Sequence, residues 1–363
     1  MNLALILICV LIYMKYGNTT DNRIIKKYVY FITFLLILFS GIRHEAVGND
    51  TYAYMNNFDD LALRPWSDIF SNFWDLYLNP GSQGKDPGEL VIIKACSYLL
   101  PNSRVFLFFV AIVLLIPIGM FVYRNSDTLR TPCFFYVFYI TMFYPYLPNS
   151  AVRQSFALTI LIVGYMLLQK GKVKHLVALI FIASFVHKSI LISLLILPYY
   201  YFKNTKLAYR YSALLFVAML FGYSYVGMYL ASQSDIYEMY AYSTANANSM
   251  PYMVILMMIG LYAIGWFVVD KDNSAYEHRL FYGGAAMAAV WVIMVRLDPS
   301  VIRLVSYFGP WMGLLVPYAV EKLNSDDAKM IFTILLIIFL IRAAITPDNY
   351  HFMWQEMKLH ERY

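Results

Sequence analysis

Long apolar runs separated by short polar links set the rhythm of this chain. They recur near 2–16, 28–42, 104–123, 133–147, 151–168, 209–229, 252–269, 280–295, 303–320 and 330–345. In lipid only a helix satisfies every backbone group within such a run, so each is predicted to be a spanning helix. Several fall short of the roughly 20 residues that a bilayer needs. Their ends must be extended by amphipathic Tyr, Lys and Arg, or they break within the membrane. The stretch 175–202, HLVALIFIASFVHKSILISLLILPYYYF, departs in the other direction and carries His187 and Lys188 near its middle. Lys170, Lys172 and Lys174 precede it, and Lys203, Lys206 and Arg210 follow it. If both flanks are cytoplasmic, the chain enters and returns with His187 near the turn. One tilted helix is the alternative.

Charge in the links orients these runs. Loop 15–27 carries Lys15, Arg23, Lys26 and Lys27 against Asp21 and is predicted to be cytoplasmic. Segment 43–89 sets eight acids against Arg43, Arg64 and Lys85 and is predicted to face outward. Segment 230–251 holds Asp235 and Glu238 with no base, as an external loop would. The expectation is an all-α integral membrane protein of about 11–12 spanning helices, its N-terminus outside. No linker, repeat or cleavable leader stands out, so residues 1–363 are predicted to be one polytopic domain. Within the external segment 43–89, Trp66, Ile69, Phe70, Phe73, Trp74 and Tyr77 recur at helical spacing, with Ser67, Asp68, Ser71, Asn72 and Asp75 opposite. That predicts an amphipathic helix over 66–78, either an anchor at the membrane surface or an aromatic wall over a substrate groove.

Composition sharpens this. Only 14% of the 363 residues are charged and mean hydropathy is +0.57, whereas soluble domains carry about 25% charged residues. The net charge of +6 sits in short links between apolar runs, which argues against a nucleic-acid partner. Aromatics reach 18%, more than interfacial belts need, and point to polar-tipped rings around a cavity. Cys9, Cys96 and Cys133 lie in or beside apolar runs without metal spacing and are read as small packing residues.

Charged groups at the edges of apolar runs are costly unless they meet a partner or an aqueous cavity. Arg43 ends one run, Arg153 opens another, Arg296 and Arg303 flank the link LDPSVI, and Arg342 lies near the outer end of the last. The predicted topology puts all five toward the external side, against the positive-inside bias. One such arginine is explained by snorkelling. Five in one leaflet suggest a site for phosphate, which the planar guanidinium fork suits. His187, beside Lys188 and Ser189, is a candidate general base. No His, Cys, Asp or Glu cluster has metal-ligand spacing, and no glycine-rich phosphate loop or serine-nucleophile elbow is present, so no metal or other cofactor is expected.

These features fall in a recognisable order: Arg43, then Gly48, Asp50 and Tyr52, then Glu89 at the start of an apolar helix, then VRQSFA (152–157), FVHKS (185–189) and IRLVSYF (302–308). The pattern resembles the EpsG-type branch of the Wzy polysaccharide polymerases over roughly residues 30–320. The resemblance implies a multispanning, C-type glycosyltransferase-like fold in the bacterial inner membrane. It implies transfer of a growing O-antigen or exopolysaccharide glycan from undecaprenyl diphosphate to the terminal sugar of a new lipid-linked repeat, at the outer face and without metal. Its partners would be undecaprenyl-diphosphate-linked oligosaccharides, membrane lipid and a chain-length regulator protein. On this basis Arg153 and Arg303 are assigned to the diphosphate, with Arg43 or Arg296 as a second clamp and Gln154 beside them. His187 is assigned as the base, with Asp50 or Glu89 as alternatives, and Tyr52, Trp66 and Trp74 as sugar-stacking rings. The rival class is a transporter or flippase of lipid-linked saccharides, which would need arginines too but would show repeated halves with charges at the midplane.

Overall fold

A computed structural model describes residues 1–71, 73–78, 86–231, 250–268, 276–296, 301–347 and 349–356. Asp235, Glu238 and most of the LDPSVI link lie outside the described residues. The chain is an all-α integral membrane protein. Among the described residues, five helices are long and apolar enough to cross a membrane: Asn22–Gly41, Ser103–Arg124, Thr205–Met228, His278–Arg296 and Ser325–Ile345. Shorter apolar segments, Asn2–Tyr16, Val152–Leu168, Val173–Val186, Lys188–Tyr201 and Tyr252–Phe267, accompany them. Length alone therefore supports fewer crossings than the 11–12 expected, because several runs are short or broken, as their length foretold.

In chain order the elements are α1 (Asn2–Tyr16), α2 (Asn22–Gly41), α3 (Thr51–Leu63), α4 (Trp66–Ser71), α5 (Phe73–Leu78), α6 (Pro87–Leu99), α7 (Ser103–Arg124), α8 (Arg130–Met142), α9 (Val152–Leu168) and α10 (Val173–Val186). A 3₁₀ helix, η1 (Lys188–Ile196), leads to α11 (Leu197–Tyr201) and α12 (Thr205–Ala231). There follow α13 (Met250–Val268), α14 (Tyr276–Val292), η2 (Ile293–Arg296), α15 (Ile302–Ser306), α16 (Gly309–Val320) and α17 (Ser325–Ile345).

α8, α14 and α16 form the interior, and almost every residue of α8 and α16 is buried. Small residues allow this: Gly284 of α14 meets the ring of Trp311, and Gly313 of α16 meets Phe135 of α8. Cys9 and Cys133 are buried there as free thiols, in keeping with a packing role. α12 stands at the other extreme, with 6% of its apolar window buried, so its surface is left to lipid.

The stretch 175–202 is a hairpin. α10 ends at Val186, and His187 takes an extended conformation (φ −157°, ψ 103°) before the chain returns as η1 and α11. A Cβ placed on Gly171 would sit 3.4 Å from the Tyr200 hydroxyl, so the two ends of the stretch meet. A single helix would separate those residues by about 43 Å at 1.5 Å per residue. The tilted-helix alternative is thereby corrected. The carbonyls of Tyr199 and Tyr200 accept hydrogen bonds from Arg279 of α14 (3.2 and 3.3 Å), which fastens the base of the return arm.

One further expectation changes. The predicted 303–320 span breaks after Ser306 into α15 and α16. The predicted 66–78 helix is helical as α4 and α5 on either side of Asn72, which lies outside the described residues. Of its apolar face only Ile69 is buried, while Phe70 and Trp74 are 54% and 63% exposed. The external segment also contains α3, whose inner face presents Tyr54, Phe58 and Leu61. These residues pack with Ile93, Phe106 and Val152 as a second, smaller core.

Candidate active site

The end of α2 and the starts of α3 and α9 are tied together by the link 143–151. Gly48 has φ +91°, and a Cβ there would run into the Asn149 carbonyl oxygen. Glycine is thus required for the 41–50 turn to close on the link. Thr51 donates to the Asn149 carbonyl, Ser40 donates to the Asn149 side chain (2.9 Å), and the Asp50 backbone N–H donates to Ser150 Oγ (3.2 Å). Arg43 lies beneath this knot, 1% exposed. Its guanidinium donates to the carbonyls of Ser40, Pro148 (3.3 Å) and Asn149 (3.3 Å). Burial pushes its pKa down to about 10. The segment after α17 adds an antiparallel bridge, Arg43 to Phe352, with His44 N–H bonded to the His351 carbonyl (2.8 Å). Arg43 is therefore a bracket inside the protein, and its expected role as a diphosphate clamp is corrected.

Above the bracket, charged side chains from distant segments converge. Asp86 is the N-cap residue of α6, followed by Pro87 at N1, a start favoured by the fixed φ of proline. Its carboxylate makes no capping bond. One oxygen, Oδ2, lies 3.0 Å from His187 Nδ1 and 3.6 Å from Arg153 Nη1; the other accepts the Lys188 backbone N–H at 3.2 Å. Gly88 makes this approach feasible, since a Cβ there would fall 2.7 Å from the Phe185 carbonyl oxygen. Glu89, one turn into the helix and 2% exposed, lies 3.3 Å from Arg153 Nε, which also reaches Tyr54 Oη at 3.4 Å. Arg153 remains 26% exposed and His187 16%. No polar partner of Arg153 Nη2 is found among the described residues.

Gln154, 2% exposed, extends the cluster to α15. Its Nε2 donates to the Arg303 carbonyl and to Ser306 Oγ (2.7 Å), at the break between α15 and α16. That contact helps to satisfy the backbone where the helix is interrupted. The Arg303 side chain turns outward to Asp50 at 3.6 Å, and both are well exposed, 37% and 43%. So open a pair is worth little as a brace, and an incoming anion can displace it.

Three helices thus begin here with no side-chain cap: α3 at Asp50, α6 at Asp86 and α9 at Ala151. Both aspartates direct their carboxylates to cations instead. The first-turn N–H groups and positive dipole ends of such helices favour anions. Arg153, Lys188 and Arg303 balance Asp50, Asp86 and Glu89 in formal charge. The 3.6 Å separations are longer than the 2.7–2.9 Å of tight charge-assisted bonds, which leaves guanidinium donors for a ligand. A carboxylate accepts only, so at 3.0 Å Asp86 is met by an N–H at Nδ1, which makes Nε2 the ring nitrogen that can accept a proton.

Of the expected site residues, Asp50, Glu89, Arg153, Gln154, His187 and Arg303 belong to this connected set. The others do not. Arg296 is exposed and sits over the Tyr223 ring at 4.8 Å. Trp66 stacks on Phe70 and on Tyr98, and Tyr98 lies about 18 Å along α6 from Asp86 at 1.5 Å per residue. Neither Arg296 nor Trp66 makes a contact with this set among the described residues. Tyr52 is 40% exposed and points off the face of α3 that carries Tyr54. Trp74 lies nearer, against Phe185 (5.9 Å), two residues before His187. Asp86 and Tyr54 are absent from the sequence expectation. The signal for Asp86 is the DPGE run, an Asp-x-x-Glu start with proline at N1.

Uncapped helix starts, accessible arginines and a histidine facing a carboxylate thus gather at one end of the apolar helical bundle of a membrane protein. The chain belongs to the EpsG family, whose model matches residues 26–347. No curated protein and no solved structure matches it. Membership suggests a polysaccharide-polymerase role of the glycosyltransferase type.

Proposed function

We propose that the chain elongates lipid-linked oligosaccharides, transferring a growing glycan from undecaprenyl diphosphate to an acceptor sugar hydroxyl at the outer face of the bacterial inner membrane. The observation that carries this reading is the single Asp86 oxygen facing both His187 and Arg153, among three uncapped helix starts. In the proposed reaction the acceptor oxygen attacks the anomeric carbon of the donor sugar. The bond from that carbon to the phosphate oxygen breaks, and undecaprenyl diphosphate leaves with the electron pair. The hydroxyl proton passes to His187 Nε2, a contribution of about 10²–10⁴-fold in rate. Arg153 and Arg303 stabilise the leaving diphosphate electrostatically, and Lys188 is at hand as a third cation. Asp86 positions the imidazole and Glu89 holds Arg153. Trp74 is assigned to the sugar. Residues 1–363 act as one polytopic domain, and a chain-length regulator is the expected protein partner.

Arg153, Arg303 and Lys188 are the cations offered to the leaving group, and we assign a metal-independent reaction: lengthening of lipid-linked repeats by the purified protein should persist in EDTA. Abolition by EDTA with recovery in Mg²⁺ rejects that assignment. The transfer itself is tested in cells. His187→Ala, Arg303→Ala and Arg153→Lys proteins, present at wild-type abundance, should leave glycan at one repeat unit with its export intact. Long ladders from all three overturn the proposal. Loss of export alone would favour the transporter, a reading weakened by the gathering of these charges at one end of the bundle.

A further inference from the structure

A second site lies at the opposite end of the hairpin. Because Gly171 and Tyr200 meet, the flanks of the hairpin share one membrane face, and no Asp or Glu occurs anywhere between residues 169 and 210. These two flanks are therefore strongly basic. At the edge of this face, between the start of α12 and the end of α13, is a cavity of about 200 Å³ lined by Lys206, Tyr209, Arg210, Ala213 and Trp266. Lys206 and Arg210 are one turn apart on the same side of α12 and both exposed, and neither has a polar partner among the described residues. The wall is rigid: Tyr209 donates to the Trp266 carbonyl (2.8 Å), packs against that ring at 4.1 Å and stacks on Tyr282 at 4.2 Å.

We infer that this groove seats the glycerol backbone of an anionic phospholipid of the cytoplasmic leaflet, with the phosphate on Lys206 and Arg210 at its rim. Two unpaired cations over an aromatic wall match a phosphate with a glycerol backbone beneath it. α12 leaves its length to lipid, so the acyl chains of such a molecule can run along it. The positive-inside bias places this face toward the leaflet surface that is negatively charged. The bound lipid would fasten α12, little buried by protein, against α13 and α14, far from the proposed catalytic cluster.

Native mass spectrometry and thermal unfolding of the purified full chain test this, with phosphatidylglycerol, phosphatidylcholine or inorganic phosphate added. The wild type should retain and be stabilised by phosphatidylglycerol over phosphatidylcholine, with no effect of inorganic phosphate. Near a membrane surface each cation is worth a factor of about 5, so Lys206→Gln/Arg210→Gln should weaken retention by about 25-fold. Lys170→Gln/Lys172→Gln removes equal charge from exposed positions on the same face and should leave retention within about 2-fold. Equal retention of both lipids, an unchanged Lys206/Arg210 variant, equal loss in both variants, or stabilisation by inorganic phosphate alone each overturns the inference. Glycan length is not a readout, so either outcome leaves the proposed polymerase reaction standing.

Discussion

Arg43 and Arg153 occupy equivalent places in the sequence, each at the outer end of an apolar run, and the fold treats them in opposite ways. Arg43 is 1% exposed and surrounded by backbone carbonyls. Arg153 is 26% exposed and meets two carboxylates, of which Asp86 is itself linked to His187. Carbonyl partners leave a buried guanidinium nothing to exchange, whereas loose carboxylate contacts at 3.3–3.6 Å can be traded for a substrate anion. An arginine in a membrane protein is thus read from its partners and its openness rather than from its depth.

Substitutions can break that contrast. The largest stability effect is expected from Arg43→Ala, which orphans several buried carbonyls and opens a cavity beneath the site. Losses of about 3–5 kcal/mol should appear as little folded protein in size-exclusion profiles and a lowered unfolding temperature. Arg153→Lys should fold normally but lose about 10²–10³-fold in polymerisation rate, because an ammonium cannot reproduce the fork. If it instead unfolds like Arg43→Ala, the two arginines are both structural. Gly88→Ala presses α6 against the Phe185 backbone and should cost about 1–3 kcal/mol, lowering both unfolding temperature and rate. Retained stability and rate would mean that the approach of α6 to His187 is not required. Arg296→Ala is expected to be the mildest, within about 1 kcal/mol and with normal glycan ladders, since only an exposed cation–π contact is lost.

The hydrophobic pattern makes the helical membrane fold legible, and the paired basic flanks make the 175–202 hairpin legible. Arg153, His187 and Arg303 are legible as misfits in apolar runs. The separate fates of Arg43 and Arg153 are not, because they depend on partners such as Pro148, 105 residues from Arg43 along the chain. Asp86 escapes notice for the same reason: it is one acid of eight in segment 43–89, and its significance comes from His187, 101 residues away. The 3₁₀ form of the return arm and the break after Ser306 are matters of local backbone geometry, which hydropathy alone does not report.

The shared Asp86 oxygen is the centre of the account, and a double-mutant cycle on the purified protein tests it most directly. Chain extension from lipid-linked repeats would be timed for wild type, Asp86→Asn, His187→Ala and the double variant, each matched for folded protein. Residues acting as one unit lose rate non-additively. The wild type should build ladders, each single variant should be slowed by at least about 10²-fold, and the double variant should be no slower than His187→Ala alone. Ladders of wild-type length from His187→Ala, or losses that simply multiply in the double variant, would contradict the account.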